Sequence, residues 1–223
     1  MKILVIVAHP DDETIGMGAT IRKHVLAGDK VYVKSMTDGV GARDDTCEQE
    51  ALERWRMAEA ASKTLGFTWL EPERLSDNQL DKYTNLHLTK IVETAKAKIE
   101  PELVYTHASC DLNVDHRATF AAVLTAFRPA PNSICAEIRC FEVSSATDYG
   151  VHSAWGAFSP NLYVNVSDTW GEKILALRHY ESELRESPHS RSLAGITHLA
   201  QLRGHQVGVS LAECFETVRK IEH

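Results

Sequence analysis

Residues 3–7 (Ile3, Leu4, Val5, Ile6, Val7) are apolar at every position, the pattern of a strand covered on both faces, as in a parallel sheet. The chain then alternates between such runs and amphipathic stretches of helical length. A strand is expected over residues 3–8. A helix follows over 14–27, with Ile15, Ala19, Ile21, Val25 and Leu26 on one side and Gly28 and Asp29 behind it. Residues 31–35 form the second strand, and residues 48–65 a long helix closed by Gly66. Residues 67–70 read as a short third strand, 71–82 as a polar loop and 86–99 as a helix stopped before Pro101. A fourth strand over 103–106 opens into a loop ending at Asp115 and His116, and a helix then runs over 116–127.

Beyond it, residues 134–143 read as a fifth strand, 144–160 as a long loop and 162–166 as a sixth strand. The remainder reads as loops and helices, including 177–184 and 193–203 around a polar loop at 185–192. Strands separated by helix-length segments predict a Rossmann-like, three-layer α/β sandwich with a mainly parallel sheet. Its expected strand order, 3-2-1-4-5, makes strands 1 and 4 neighbours at the switch point. There, ligands bind outside the carboxyl ends of the strands. A single unit over 1–223 is expected, with about 168–223 completing the rim of the site.

Composition narrows the function classes. With 24 Lys and Arg against 31 Asp and Glu, the formal net charge of −7 argues against a general nucleic-acid binder. Five cysteines (Cys47, Cys110, Cys135, Cys140, Cys214) without a C-x-x-C pair suggest reduced thiols. No run is long enough to span a membrane, and the amino-terminal run is too short for a secretory signal. A cytoplasmic location is therefore expected.

The chemistry concentrates at the two loops that the topology would bring together. Ala8-His9-Pro10-Asp11-Asp12-Glu13 follows the first strand, and Asp115-His116 follows the fourth. His9, Asp12 and His116 supply two imidazoles and a carboxylate, a donor set of the kind found in catalytic zinc sites with one open position for water. Asp11 is left to exchange a proton with that water. Fe(II) or Co(II) would also suit these ligands.

These motifs resemble the LmbE-like, or PIG-L-type, zinc de-N-acetylases. The resemblance runs from Met1 to at least Val166. It implies a hydrolase that removes acetyl from an N-acetylglucosamine-type sugar, glycoconjugate or nucleotide sugar, with His9, Asp12 and His116 on Zn2+ and Asp11 as general base. It further implies Arg56, paired with Glu59 in Arg-x-x-Glu, and Asp77 as sugar contacts. Relatives of this kind often form symmetric assemblies, so a homo-oligomer is compatible with it.

One tetrad departs from the pattern. Where such proteins often carry His-Pro-Asp-His, this chain has Asn113-Val114-Asp115-His116. Asn113 can donate a hydrogen bond to an oxyanion but cannot supply a proton, and Asp115 loses the histidine it would orient. Either Asp11 carries both proton transfers or another histidine enters: His189, in a polar loop with Arg191, ranks ahead of His107 and His179. Arg185, Arg191 and Arg203 are candidates for a substrate phosphate. The competing reading is a non-hydrolytic nucleotide- or metal-binding Rossmann domain, but the first βα turn lacks G-x-G-x-x-G.

Overall fold

In the computed structural model, which describes residues 1–42, 48–131 and 133–222, strand β1 (Lys2–Val7) is buried from Ile3 onward. Its two faces enter different cores. Ile3, Val5 and Val7 join one apolar cluster, and Leu4 and Ile6 join the other. This is why the run carries no polar position: a central parallel strand has no solvent side. Helix α1 (Asp12–Leu26) follows, then β2 (Lys30–Ser35), α2 (Glu48–Leu65), β3 (Thr68–Trp69), α3 (Asn85–Ile99), β4 (Leu103–His107), α4 (Val114–Ala126) and β5 (Glu137–Phe141). A short α5 (His152–Trp155), β6 (Leu162–Asn165), α6 (Trp170–His179), α7 (Leu193–His205) and β7 (Ala212–Lys220) complete the order.

The seven strands form one sheet in the order β3-β2-β1-β4-β5-β7-β6. The first five are parallel and match the expected 3-2-1-4-5 order. The sheet is extended by β7, which lies antiparallel between β5 and β6 in a region the apolar pattern assigns to loops and helices. The reason lies in Glu213. It is the second residue of β7 and is buried, so a charged residue stands in the covered part of the strand, and Glu216, Arg219 and Lys220 follow in the rest. Residues 177–184 also differ from the expectation: α6 ends at His179 and a single 3-10 turn covers Glu181–Glu183.

Glu213 has a specific task. Helix α1 breaks at Met17 (φ −146°, ψ 23°), which strips hydrogen bonds from the backbone on both sides of the break. Glu213 accepts the amides of Ala19 at 3.1 Å and Thr20 at 2.6 Å. Lys173 of α6 donates to the Ile15 carbonyl at 2.7 Å and to Glu213 at 2.6 Å. The break separates the first turn of α1, which carries Asp12 and Glu13, from the rest of the helix. Gly16 lets that turn lie against β5, where an added Cβ would overlap Phe141 Cδ2 and lie 2.9 Å from its Cε2. Cys110, Cys135, Cys140 and Cys214 are buried free thiols, whereas Cys47 lies outside the described residues. Among the described residues, no helix is long and apolar enough to cross a membrane.

Candidate metal centre and active site

The β1–β4 ladder pairs Ile3, Leu4 and Val5 with Leu103, Val104 and Tyr105. Past that point the carboxyl ends lead to His9 and Asp12 on one side and to His116, in the first turn of α4, on the other. Asp12 Oδ2 lies 3.1 Å from His9 Nδ1 and 3.3 Å from His116 Nε2, and the two nitrogens are 3.3 Å apart. A tetrahedral zinc ion with bonds of about 2.0–2.1 Å separates its donor atoms by about 3.3 Å. The three side chains therefore fit one small divalent cation without rearrangement.

Each histidine has a carboxylate beside its far nitrogen. His9 Nε2 lies 3.0 Å from Asp77 Oδ1 and 3.3 Å from Asp115 Oδ2, and His116 Nδ1 lies 2.9 Å from Asp111 Oδ2. Such outer carboxylates orient metal-binding imidazoles and raise their basicity. Each is itself fixed. Asp115 accepts the amides of Asn78 and Leu80 at 2.7 and 2.8 Å. Asp111 accepts the Thr147 hydroxyl at 2.8 Å and the Asn113 amide at 2.9 Å. Burial by itself would disfavour imidazolium, but Asp12 and the outer carboxylates outweigh it. His116 is lifted to about 9 and His9 well above its usual value. Burial would raise the Asp12 carboxyl, yet the surrounding histidines hold it well below the usual range. The cluster demands positive charge at its centre, which protons or a metal can supply.

Asp11 sits beside this centre in a strained backbone conformation (φ 147°) that non-glycine residues rarely adopt. Glu13 stabilises the turn, its Oε2 accepting the Asp11 amide at 3.0 Å. Tyr180 and Thr14 donate to the Glu13 Oε1 at 3.0 and 2.6 Å. The Asp11 carboxylate faces Arg54 Nη1 at 3.1 Å and Arg191 Nη1 at 3.8 Å. Burial pushes its carboxyl above the usual value, and the arginines only partly reverse that. A carboxyl raised in this way beside a candidate metal centre is suited to exchanging a proton with a bound water.

The arginine on α2 that reaches the site is Arg54, not Arg56. Arg56 and Glu59 are exposed, whereas Arg54 is 4% exposed. It donates to Pro10 O at 2.9 Å and Gly39 O at 3.2 Å and pairs with Glu183 at 2.6 Å. The sequence signal was helical phase: Arg54, Ala58, Ala61 and Leu65 form one buried stripe, and Arg56 falls off it. Asp111 was legible only as a carboxylate five residues before His116.

The remaining expected residues divide. Asp77 joins the cluster through His9, and its carboxyl lies below its usual value because His9 outweighs the effect of burial. Asn113 caps α4, its Oδ1 accepting the Asp115 amide at 2.8 Å, which leaves Nδ2 as its donor. Asp115 holds His9 rather than a histidine of its own loop. Arg191 also donates to Ser145 Oγ at 2.8 Å, and its amide donates to His189 Nδ1 at 3.0 Å. His189 faces the Tyr149 ring at 6.4 Å. His179 instead meets Thr64 at 2.9 Å on an exposed surface between α6 and α2. The three arginines do not converge: Arg203 is paired with Glu142 at 2.7 Å, and Arg185 donates to the Ser182 and Leu184 carbonyls on the surface.

Comparison with known proteins bears on the fold and the family. A diacetylchitobiose deacetylase from Thermococcus kodakarensis is 27% identical over 223 residues, covering 92% of this chain and 80% of its own. The structure of N,N'-diacetylchitobiose deacetylase from Pyrococcus horikoshii superposes with a TM-score of 0.77 at 24% identity, covering 98% of this chain and 84% of that one. GalB, a 4-carboxy-2-hydroxymuconate hydratase from Pseudomonas putida, superposes at 0.78 with 19% identity over 100% and 98% of the two chains. At such identities these two structures establish a shared fold, which by itself does not select a reaction. The family model for PIG-L, GlcNAc-PI de-N-acetylase, matches residues 4–127, which carry all three candidate ligands. The chain belongs to the PIG-L de-N-acetylase family.

Proposed function

We propose that this protein is a zinc-dependent hydrolase that removes the acetyl group from an N-acetylglucosamine-type sugar or sugar conjugate. The observation that carries the reading is the spacing of His9 Nδ1, Asp12 Oδ2 and His116 Nε2, 3.1–3.3 Å apart, with Asp11 alongside. A zinc ion held by these three atoms would lower the pKa of a bound water to about 7 and polarise the acyl carbonyl. Asp11 takes the proton from the attacking water and returns it to the departing amine. Arg54 keeps Asp11 ionised and aimed, and Arg191 flanks the same carboxylate. The Asn113 Nδ2 donates to the oxygen that gains negative charge. Since Asn113 cannot give up a proton, Asp11 carries both transfers.

The test is metal analysis combined with acetate release from free, phosphorylated and nucleotide-linked N-acetylhexosamines and from N,N'-diacetylchitobiose. Asp11→Asn should keep zinc and lose activity by about 10²–10⁴-fold, whereas His116→Ala should lose zinc. Zinc- or cobalt-loaded protein that releases no acetate from any of these substrates refutes the hydrolase assignment. Near-normal turnover in metal-loaded Asp11→Asn refutes the role of Asp11.

A further inference from the structure

His107 is fully buried at the carboxyl end of β4, and it makes a second potential donor set with Asp111 and His116. Its contacts specify a different use. Beyond Val5 and Tyr105 the β1–β4 ladder opens, while β4 continues to pair with β5 through His107 and Phe141. Ala8, the residue before His9, lies at this fork. Its carbonyl is held toward β2 by the Thr37 amide at 3.0 Å and the Thr37 hydroxyl at 2.9 Å. Its amide has left the reach of β4 backbone carbonyls and donates instead to His107 Nε2 at 2.9 Å. An imidazole nitrogen that accepts an N–H bond has its lone pair engaged, and the neutral ring then carries its proton on Nδ1. Nε2, which also lies 3.5 Å from Asp12 Oδ2, then has no lone pair free for a metal, and Nδ1, buried without a hydrogen-bond partner among the described residues, carries the proton.

The same ring lies flat on His116, with centroids 3.8 Å apart and planes 16° from parallel. His107 thus touches the residue preceding one ligand and the face of another, on loops that meet only because β1 and β4 are neighbours.

We infer that His107 is a positioning residue: as acceptor for the Ala8 amide it closes the fork between β1 and β4 and sets the distance between the His9 and His116 loops, without binding metal itself. This rests on the reading of His9, Asp12 and His116 as ligands. Two variants separate the properties of the ring. His107→Phe keeps a flat face against His116 and removes the acceptor. His107→Gln keeps an amide oxygen within reach of the Ala8 amide and removes the ring.

Zinc affinity measured by chelator competition should weaken about 10–100-fold in His107→Phe, the range for loss of an outer-shell partner, and recover largely in His107→Gln. The absorption spectrum of the cobalt(II) protein should change in the first variant and return toward wild type in the second. Each protein should bind one ion per chain. Equal affinity in wild type and His107→Phe, or a glutamine variant no better than the phenylalanine one, overturns the inference. So does a second ion in wild type that is lost in both variants.

If neither variant folds, imidazole 15N spectra of the wild-type protein decide the matter. His107 Nε2 should be an unprotonated, hydrogen-bonded nitrogen before and after zinc addition, while His9 and His116 shift. A metal-type shift on His107 refutes its positioning role. If zinc shifts no histidine, the functional reading falls, while the His107 nitrogens and the Ala8 amide still report whether the tie exists.

Discussion

Replacing Arg54 by methionine should move the acid limb of the pH–rate profile upward. Arg54 is buried and its Nη1 lies 3.1 Å from Asp11 Oδ2. Two unit charges at that distance attract by about 5 kcal/mol at an effective dielectric constant of 20, before any change in solvation. Measured effects of an adjacent arginine on a carboxyl pKa are smaller, about 1–3 units. Arg191 stays 3.8 Å away, so a shift of about 1–2 units is expected, within that range. The sign follows from which form the cation favours. Without Arg54 the ionised base is less stable, its pKa rises above an already raised value, and the ionised form is populated only at higher pH. Activity should therefore fall first on the acid side. The high-pH plateau should change less.

The assay is kcat/KM for acetate release across the pH range, with zinc and again with cobalt. A limb set by metal-bound water moves with the metal in wild type and variant alike, whereas one set by Asp11 moves with Arg54. Stability must be followed in parallel. Removing one member of a buried ion pair costs about 3–5 kcal/mol, and Glu183 loses a partner at 2.6 Å as well. Arg54→Lys, which keeps the charge, should restore most of the limb. A folded, zinc-loaded Arg54→Met protein whose profile superimposes on wild type refutes the claim that Arg54 controls Asp11.

Gly16→Ala should destabilise by about 1–3 kcal/mol, because the new methyl overlaps Phe141 and lies 3.0 Å from the Glu142 carbonyl. Urea unfolding measures this, and weakened zinc binding is expected with it, since the displaced turn carries Asp12. Lys173→Met leaves Glu213 buried and unpaired and should cost about 3–5 kcal/mol, while Lys173→Met combined with Glu213→Leu should cost less than the sum of the two single changes. Strictly additive costs in a double-mutant cycle would mean that the pair does not act as a unit across the break in α1.

The sequence alone carried the parallel part of the sheet, because a central parallel strand is covered on both faces and β1, apolar from Ile3 to Val7, reads as one, with the shorter apolar stretches of β2 and β4 beside it. It also carried the three candidate ligands that the structure brings within reach of one ion, since His9 and Asp12 follow β1 directly and His116 follows β4. Other features were hidden where a polar group is buried. Glu213 disguised β7, although that carboxylate is satisfied by two amides and Lys173. Arg54 is hidden in the same way: the resemblance points to Arg56, and a buried arginine looks no different from an exposed one until its helical phase is set against the apolar stripe.

What the sequence determined by itself was the order of the elements that build the parallel part of the sheet, the donor types and the strand ends on which they sit, all consequences of local periodicity. The tertiary structure decided which nitrogen of each histidine faces the centre and which carboxylate stands behind it. Asp77, Asp115 and Asp111 could each have served substrate, metal or helix cap. Only the approach of distant loops places two of them on His9 and one on His116. The same holds for His107, whose partners Ala8 and His116 lie across the opening between β1 and β4. Local spacing fixes what a side chain can bond, and the packing of strands remote in sequence selects the bond that forms.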